Sequence, residues 1–195
     1  MTIPNLIGQL VVEANSLADR ARLQIPFSCE LALGRISEYG AQYFLDEWKE
    51  LAPPKARIKE FNAGRALAKQ ILCNFQIDTN VIPRTSSGAP GWPNGIVGSI
   101  SHKCGIVGAL IGPLNPITSI GFDIEVVESL DESIWSVFAT PEEVNYGARV
   151  GINKGVYANM LFSIKESLFK CLSPIYGLDT PHLSECAIFV DLINN

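Results

Sequence analysis

The chain has 195 residues, of which 47% are hydrophobic and 18% charged, with a formal net charge of -5. That balance fits one globular domain, or two small similar halves, and excludes a disordered chain; the negative charge argues against general nucleic-acid binding. No apolar run reaches the roughly 18 residues that a membrane span needs, and no charged segment followed by an apolar core opens the sequence, so a cytoplasmic protein without a membrane segment is expected.

The five cysteines, Cys29, Cys73, Cys104, Cys171 and Cys186, are scattered and lack CxxC spacing. This argues against a zinc site and a disulfide framework and fits reduced, mostly buried thiols. From the N-terminus, Leu6, Leu10, Ala14 and Leu17 give a weak helical pattern that ends before Pro26. Cys29 to Ile36 reads as a short strand, and Ala41 to Leu51 as a helix with Phe44, Leu45 and Trp48 on one side. Pro53 and Pro54 break the chain, and proline is well placed just before a helix. A helix from about Lys55 to Phe75 follows, with an apolar stripe of Phe61, Ala68, Ile71, Leu72 and Phe75 and with Gly64 for close approach.

On the same helix Arg57, Phe61, Arg65 and Lys69 follow at i, i+4 spacing and line basic groups along one edge. Such an edge is either solvated or reaches phosphates. Val81 to Asn94 is rich in Pro, Gly, Ser and Thr and reads as a loop, in which Trp92 is unusual for a mere connection. Ile96 to Ser101 and Ile106 to Ile111 read as two strands joined through His102, Lys103, Cys104 and Gly105.

Ser119 to Val127, SIGFDIEVV, has the alternation of a third strand. Ile120, Phe122, Ile124 and Val126 then share a buried face, and Gly121, Asp123 and Glu125 share the other. Three neighbouring strands with short turns predict an antiparallel meander. Two carboxylates two residues apart suit Mg²⁺, which takes a few carboxylate oxygens and leaves other positions to water and phosphates; they also suit a half-exposed strand with solvated acids. Thr140, Pro141 and Glu143 form the start of a helix with a capping box, within a helical region between Ile134 and Arg149. Leu161 to Leu172 is a helix with Leu161, Ile164, Leu168, Cys171 and Leu172 on one stripe, and with Phe162, Lys165, Glu166, Phe169 and Lys170 on another face that suits a cleft. Pro174 and Gly177 end it, and Cys186 to Leu192 reads as a final strand.

GWPNGIVGSISH (91 to 102), GFDIE (121 to 125) and FSIKESLFK (162 to 170), in that order and spacing, resemble the Sfp-type 4′-phosphopantetheinyl transferases. RIKEFNAGRALA (57 to 68) and GAPGWP (88 to 93) are similar to the branch related to the enterobactin-synthase component EntD. The resemblance covers roughly residues 55 to 192. It implies a pseudo-twofold α/β (α+β) fold, a single domain of two similar halves, about 1 to 105 and 106 to 195, each with a long helix on a small antiparallel sheet. Coenzyme A is then bound in the cleft between the halves, and the chain is a monomer. The implied reaction is attack by a carrier-protein serine on the β-phosphate of coenzyme A, with release of 3′,5′-adenosine diphosphate.

Carried over by position, Asp123, Glu125 and Glu166 resemble the Mg²⁺ ligands. The resemblance also makes Glu166 the group that activates the serine and Lys170 a pyrophosphate contact that stabilises the leaving phosphate. Lys165 resembles a motif lysine of the family and is expected near the coenzyme. Ser101 and His102 match the motif whose histidine contacts the coenzyme phosphates, and Arg57 and Arg65 match the positions that hold the 3′-phosphate. Two places depart from the pattern: Ser87 stands where many relatives carry a lysine or arginine, leaving Arg84 as the nearest cation, and Phe162 stands where some carry Trp. The partners implied are an apo peptidyl or acyl carrier protein, with siderophore or related nonribosomal peptide synthesis as the setting. A coenzyme A-binding homologue with weak or no transferase activity, and an unrelated metal-dependent phosphate enzyme, are the competing readings.

Overall fold

The computed structural model describes residues 28 to 39, 54 to 149, 151 to 178 and 183 to 189. The helices expected at residues 1 to 27 and at Ala41 to Leu51 lie outside them. The chain runs β1 (Glu30–Arg35), α1 (Lys55–Asn74), β2 (Ile96–Lys103), β3 (Ile106–Pro113), α2 (Pro141–Arg149) and α3 (Lys154–Tyr176), with short 3₁₀ turns at Ile36–Glu38, Glu132–Val137 and Leu183–Glu185. It is a mixed α/β arrangement with one small antiparallel sheet among the described residues, ordered β1-β3-β2.

β3 is the central strand, and its sequence shows why. Val107, Ala109 and Ile111 are fully buried on one face, against Ala63, Leu67, Ala68, Ile71 and Leu72 of α1, with Ile82 and Ile96 completing the cluster. Each Leu or Ile so buried contributes about 1.5–3 kcal/mol. Gly64 lets α1 settle onto the sheet, since a Cβ there would lie 2.7 Å from Ile100. The alternate residue Gly108 faces the other way, where a Cβ would come within 2.8 Å of both Phe122 and Ile124. A strand covered on both faces reads as a near-continuous apolar run, and IVGALIG does.

Phe122 and Ile124 belong to SIGFDIEVV, and here the expectation of a third meander strand is corrected. Residues 118 to 131 pair with no strand, and β1 takes the place beside β3. The stretch lies across the face of the sheet, and side chains of β2 supply part of its backbone hydrogen bonding. Ser99 Oγ donates to Phe122 O (3.3 Å), and Ile124 N donates to Ser101 Oγ (3.1 Å). Its period of two is genuine, but it records an extended segment between two layers. Phe122 and Ile124 meet the sheet, whereas Gly121 meets α3 so closely that a Cβ would overlap the Ser167 carbonyl.

α3 starts earlier than expected, because Asn153 caps it by accepting from Gly155 N (2.9 Å) and Val156 N (3.2 Å). It passes through Pro174 and ends at Gly177, whose φ of 63° is the left-handed conformation of a helix C-terminus. α2 opens on the expected capping box: Thr140 N donates to Glu143 Oε2 (2.8 Å) and Glu143 N to Thr140 Oγ1 (3.3 Å). α2 and α3 enclose a second core of Phe138, Ala139, Val144, Tyr157, Ala158 and Leu161. Among the described residues this second half carries no strand; Cys186 to Phe189 is not one, and the rest of the expected final strand lies outside them.

Candidate active site

Strand alternation in β2 sorts the motif SISHK. Opposite residues of an antiparallel pair share a face, and the register sets Ile100 against Ala109 and His102 against Val107, while Ser101 and Lys103 face Gly108 and Ile106. Ile100 and His102 therefore point to α1, and Ser99, Ser101 and Lys103 point to the acidic stretch. One strand thus feeds two polar clusters on opposite sides of the sheet.

On the acidic side Asp123 is the hub. Its Oδ1 accepts from Ser101 Oγ (2.8 Å) and Lys170 Nζ (2.6 Å), and its Oδ2 accepts from Ser163 Oγ (3.0 Å). Lys170 Nζ also donates to Phe122 O (3.3 Å) and to Ser101 Oγ (3.4 Å). Glu125 is gripped by Lys103 at 2.6 Å. Glu166 makes no hydrogen bond or ion pair among the described residues. The ion pair with Lys170 that i, i+4 spacing offers is replaced by the Lys170–Asp123 pair. Burial pushes the Glu166 carboxyl up; Lys170 opposes this, and the neighbouring carboxylates of Asp123 and Glu125 add to it. Three acids from two elements are thus close enough to feel one another, with Glu166 the member free to act. Among the described residues no group of three ligands is already gathered around a metal position; both Asp123 oxygens are held by Ser101, Lys170 and Ser163, and Glu125 Oε2 by Lys103.

On the α1 side His102 sits between Arg57 and Glu60. Arg57 Nη1 lies 2.8 Å from His102 Nε2, and His102 Nδ1 lies 3.6 Å from Glu60 Oε2. A guanidinium only donates, so Nε2 is the acceptor and the proton resides on Nδ1, facing Glu60. Burial lowers the His102 pKa, with Arg57 and Lys170 lowering it further while Glu60 and Asp123 oppose them. The imidazole is neutral near pH 7.

The basic edge of α1 divides. Arg57 is exposed, but Arg65 is 5% exposed, donating from Nε to Ile82 O (3.1 Å) with its guanidinium 4.3 Å from the centre of the Phe61 ring. Burial, and then the nearby Arg84, push it down to about 10. Arg84 itself folds back over Gly88, where a Cβ would meet its guanidinium at 2.7 Å. Trp92 explains its place in the loop by donating to Gly98 O (2.9 Å), which clasps the loop to β2.

The face assigned to Phe162, Lys165, Glu166, Phe169 and Lys170 is also divided. An α-helix turns about 100° per residue, so Lys165 lies about 200° from Ser163, away from the acids. It is buried, and its ammonium donates to Phe138 O (2.7 Å), Glu143 Oε2 (2.9 Å) and Leu183 O (2.9 Å). All three donors are spent within the second core, and Lys165 is not presented to a coenzyme. Phe162 packs edge-on against Phe138, with centroids 5.3 Å apart, and is core rather than cleft wall. Sequence reasoning missed Ser163, Lys103 and Glu60. Ser163 was legible seven residues before Lys170 on one helix face, Lys103 two residues after Ser101 on one strand face, and Glu60 three residues after Arg57.

Residues 50 to 112 match the model of the 4′-phosphopantetheinyl transferase N-terminal domain, and residues 119 to 191 that of the 4′-phosphopantetheinyl transferase superfamily. The chain belongs to the 4′-phosphopantetheinyl transferase family. Similar relatives include the 4′-phosphopantetheinyl transferase Svp of Streptomyces mobaraensis, 32% identical over 66% of this chain and 52% of the relative. The transferase PptT of Mycobacterium tuberculosis is 27% identical over 66% of this chain and 58% of its own length. Npt of Nocardia iowensis is 26% identical, with 66% and 59% covered. The matched stretch therefore spans a little over half the length of each of these 4′-phosphopantetheinyl transferases. Both clusters, around Asp123 and around His102, fall inside the family matches. No helix among the described residues is long and apolar enough to cross a membrane.

Proposed function

We propose that this chain transfers 4′-phosphopantetheine from coenzyme A to a serine of an apo carrier protein, releasing 3′,5′-adenosine diphosphate. The observation that carries the reading is the partly buried Glu166 carboxylate, without a hydrogen bond among the described residues and raised in pKa by burial, within electrostatic reach of Asp123 and Lys170 inside the family match. In the step proposed, the serine oxygen attacks the β-phosphorus, its proton passes to Glu166, and the bond from phosphorus to the bridging oxygen breaks. Lys170 donates to the departing phosphate, which takes the electron pair. Burial helps Glu166, since a carboxylate with a raised pKa is a better base.

The all-oxygen donor set of Asp123, Glu125 and Glu166 fits a hard divalent cation such as Mg²⁺, once Lys103 and Lys170 yield the oxygens they hold. Bound there, the metal would neutralise charge on the phosphoryl oxygens. The neutral His102 and exposed Arg57 are suited to the coenzyme phosphates. Arg65 with Arg84, two guanidiniums facing no described acid, suits the 3′-phosphate despite Ser87. The Sfp-type, EntD-like branch, the pseudo-twofold relation of the halves, the cytoplasmic monomer and a role in nonribosomal peptide or siderophore synthesis belong to the same proposal. Strongly acidic acyl carriers would be repelled by a chain of net charge -5, which favours less acidic peptidyl carriers. The test is mass spectrometry of apo peptidyl and acyl carrier proteins incubated with the chain, coenzyme A and Mg²⁺. A gain of the phosphopantetheine mass, faster on the peptidyl carrier, is expected; no gain on either, in a folded preparation that binds coenzyme A, overturns the activity.

A further inference from the structure

Glu125, a ligand in the metal site just proposed, is held by Lys103, which has no part of its own in the reaction. Lys103 is the last residue of β2, and the same alternation that aims Ser101 at Asp123 aims Lys103 at Glu125. Its Nζ sits 2.6 Å from Glu125 Oε2. The contact repeats the one at Asp123, where Lys170 Nζ is also 2.6 Å from an oxygen. Each acid of the pair is thus neutralised by its own ammonium, and among the described residues no metal position is gathered.

The two sides of the Lys103–Glu125 pair are unequal. The lysine side chain is 38% exposed and the carboxylate 13%, so the lysine can withdraw into water while the acid stays. Glu128 also lies close enough to attract the ammonium, and its exposed side chain offers the lysine a second anion on the solvent side. An ammonium and a divalent cation cannot share one carboxylate oxygen without strong like-charge repulsion.

We propose that Lys103 is a built-in counter-cation which occupies Glu125 in the metal-free protein and has to leave before a divalent ion binds, so that this lysine sets the metal concentration at which the site assembles. The inference rests on the reading of Asp123, Glu125 and Glu166 as metal ligands. Its test is a Mn²⁺ titration followed by the electron paramagnetic resonance of free Mn²⁺, on wild type, Lys103→Gln, Lys103→Thr and Lys103→Arg, each checked for folding by circular dichroism. Both neutral variants should bind Mn²⁺ about fivefold more tightly, the factor that corresponds to a part-exposed ion pair of about 1 kcal/mol. Lys103→Arg should stay near wild type. Neutral variants that bind Mn²⁺ within twofold of wild type, or more weakly, overturn the counter-cation role alone. Absence of Mn²⁺ binding in every protein overturns it together with the metal assignment, while coenzyme A binding measured by calorimetry on the same samples reports separately on the transferase reading.

Discussion

Replacing Lys165 with methionine separates a core lysine from a coenzyme contact. The Lys165 and Glu143 side chains are 1% and 0% exposed and 2.9 Å apart. Glu143 also accepts from Thr140 N and from Ile188 N (2.6 Å), so it ties the start of α2 and the segment after Leu183 to α3. Lys165→Met fills similar volume but leaves a buried carboxylate without its counter-ion and the carbonyls of Phe138 and Leu183 without a donor. Removing one partner of such a pair costs about 3–5 kcal/mol, a large part of the 5–15 kcal/mol typical of a folded domain. At about 2–4 °C per kcal/mol for a chain of this size, the midpoint should fall by about 6–20 °C. Burial pushes the Glu143 carboxyl up, but hydrogen bonds from Thr140, Lys165 and Ile188 outweigh it and hold the group below its ordinary 4.5. Its stabilisation is therefore present above that value and is lost as pH falls through the lower, folded one. Urea and thermal unfolding at pH 7 supply the measurement, and Glu143→Gln added to Lys165→Met should recover part of the loss by removing the stranded charge. A loss under about 1 kcal/mol, accompanied by a raised KM for coenzyme A, would refute the reasoning and return Lys165 to the ligand surface.

Glu166→Gln should lower the transfer rate by about 10² or more with stability unchanged or slightly raised, because ionising this carboxyl is disfavoured in the fold. It should also remove an acid limb of the pH–rate profile lying above the ordinary carboxylate value of 4.5; a limb that survives the substitution belongs to another group. Asp123→Asn should abolish transfer and cost about 1–3 kcal/mol, since Lys170 loses its charged partner; unfolding curves that superimpose on wild type would show that the Asp123 network is not formed in solution. Gly121→Ala should part the acidic stretch from α3, because its methyl overlaps the Ser167 carbonyl, and lose both activity and several °C of thermal stability. By nuclear magnetic resonance His102 should titrate below the ordinary 6.5, and stability should fall as pH drops through that window because the unfolded chain binds the proton more readily; a midpoint above 6.5 would mean that Glu60 outweighs burial and Arg57.

The sequence by itself determined several elements whose signal is local. The capping box at Thr140–Glu143, the hairpin of β2 and β3, the stripe of α1 and the extended run of SIGFDIEVV all follow from residue spacing, because caps, turns and periodicity act within a few residues. The family motifs named Asp123, Glu125, Glu166, Lys170 and His102 without any geometry. What only the tertiary structure decided is which layer each face meets. Period two requires an extended chain but is silent on whether its backbone pairs with a strand; Ser99, Ser101 and Lys170 satisfy the backbone of the acidic stretch instead, so it lies on the sheet rather than in it. Spacing likewise puts Lys165 and Glu166 side by side in the chain, yet 100° of helical turn sends one into the core beside Glu143 and the other toward Asp123. Arg57 and Arg65 lie along one edge of α1, yet Arg57 is exposed in the first turn while Arg65 is buried against Ile82. A charge on a helix is solvated, buried or functional according to its neighbours in space, and those come from segments up to about seventy residues away, as Lys170 and Ser101 show.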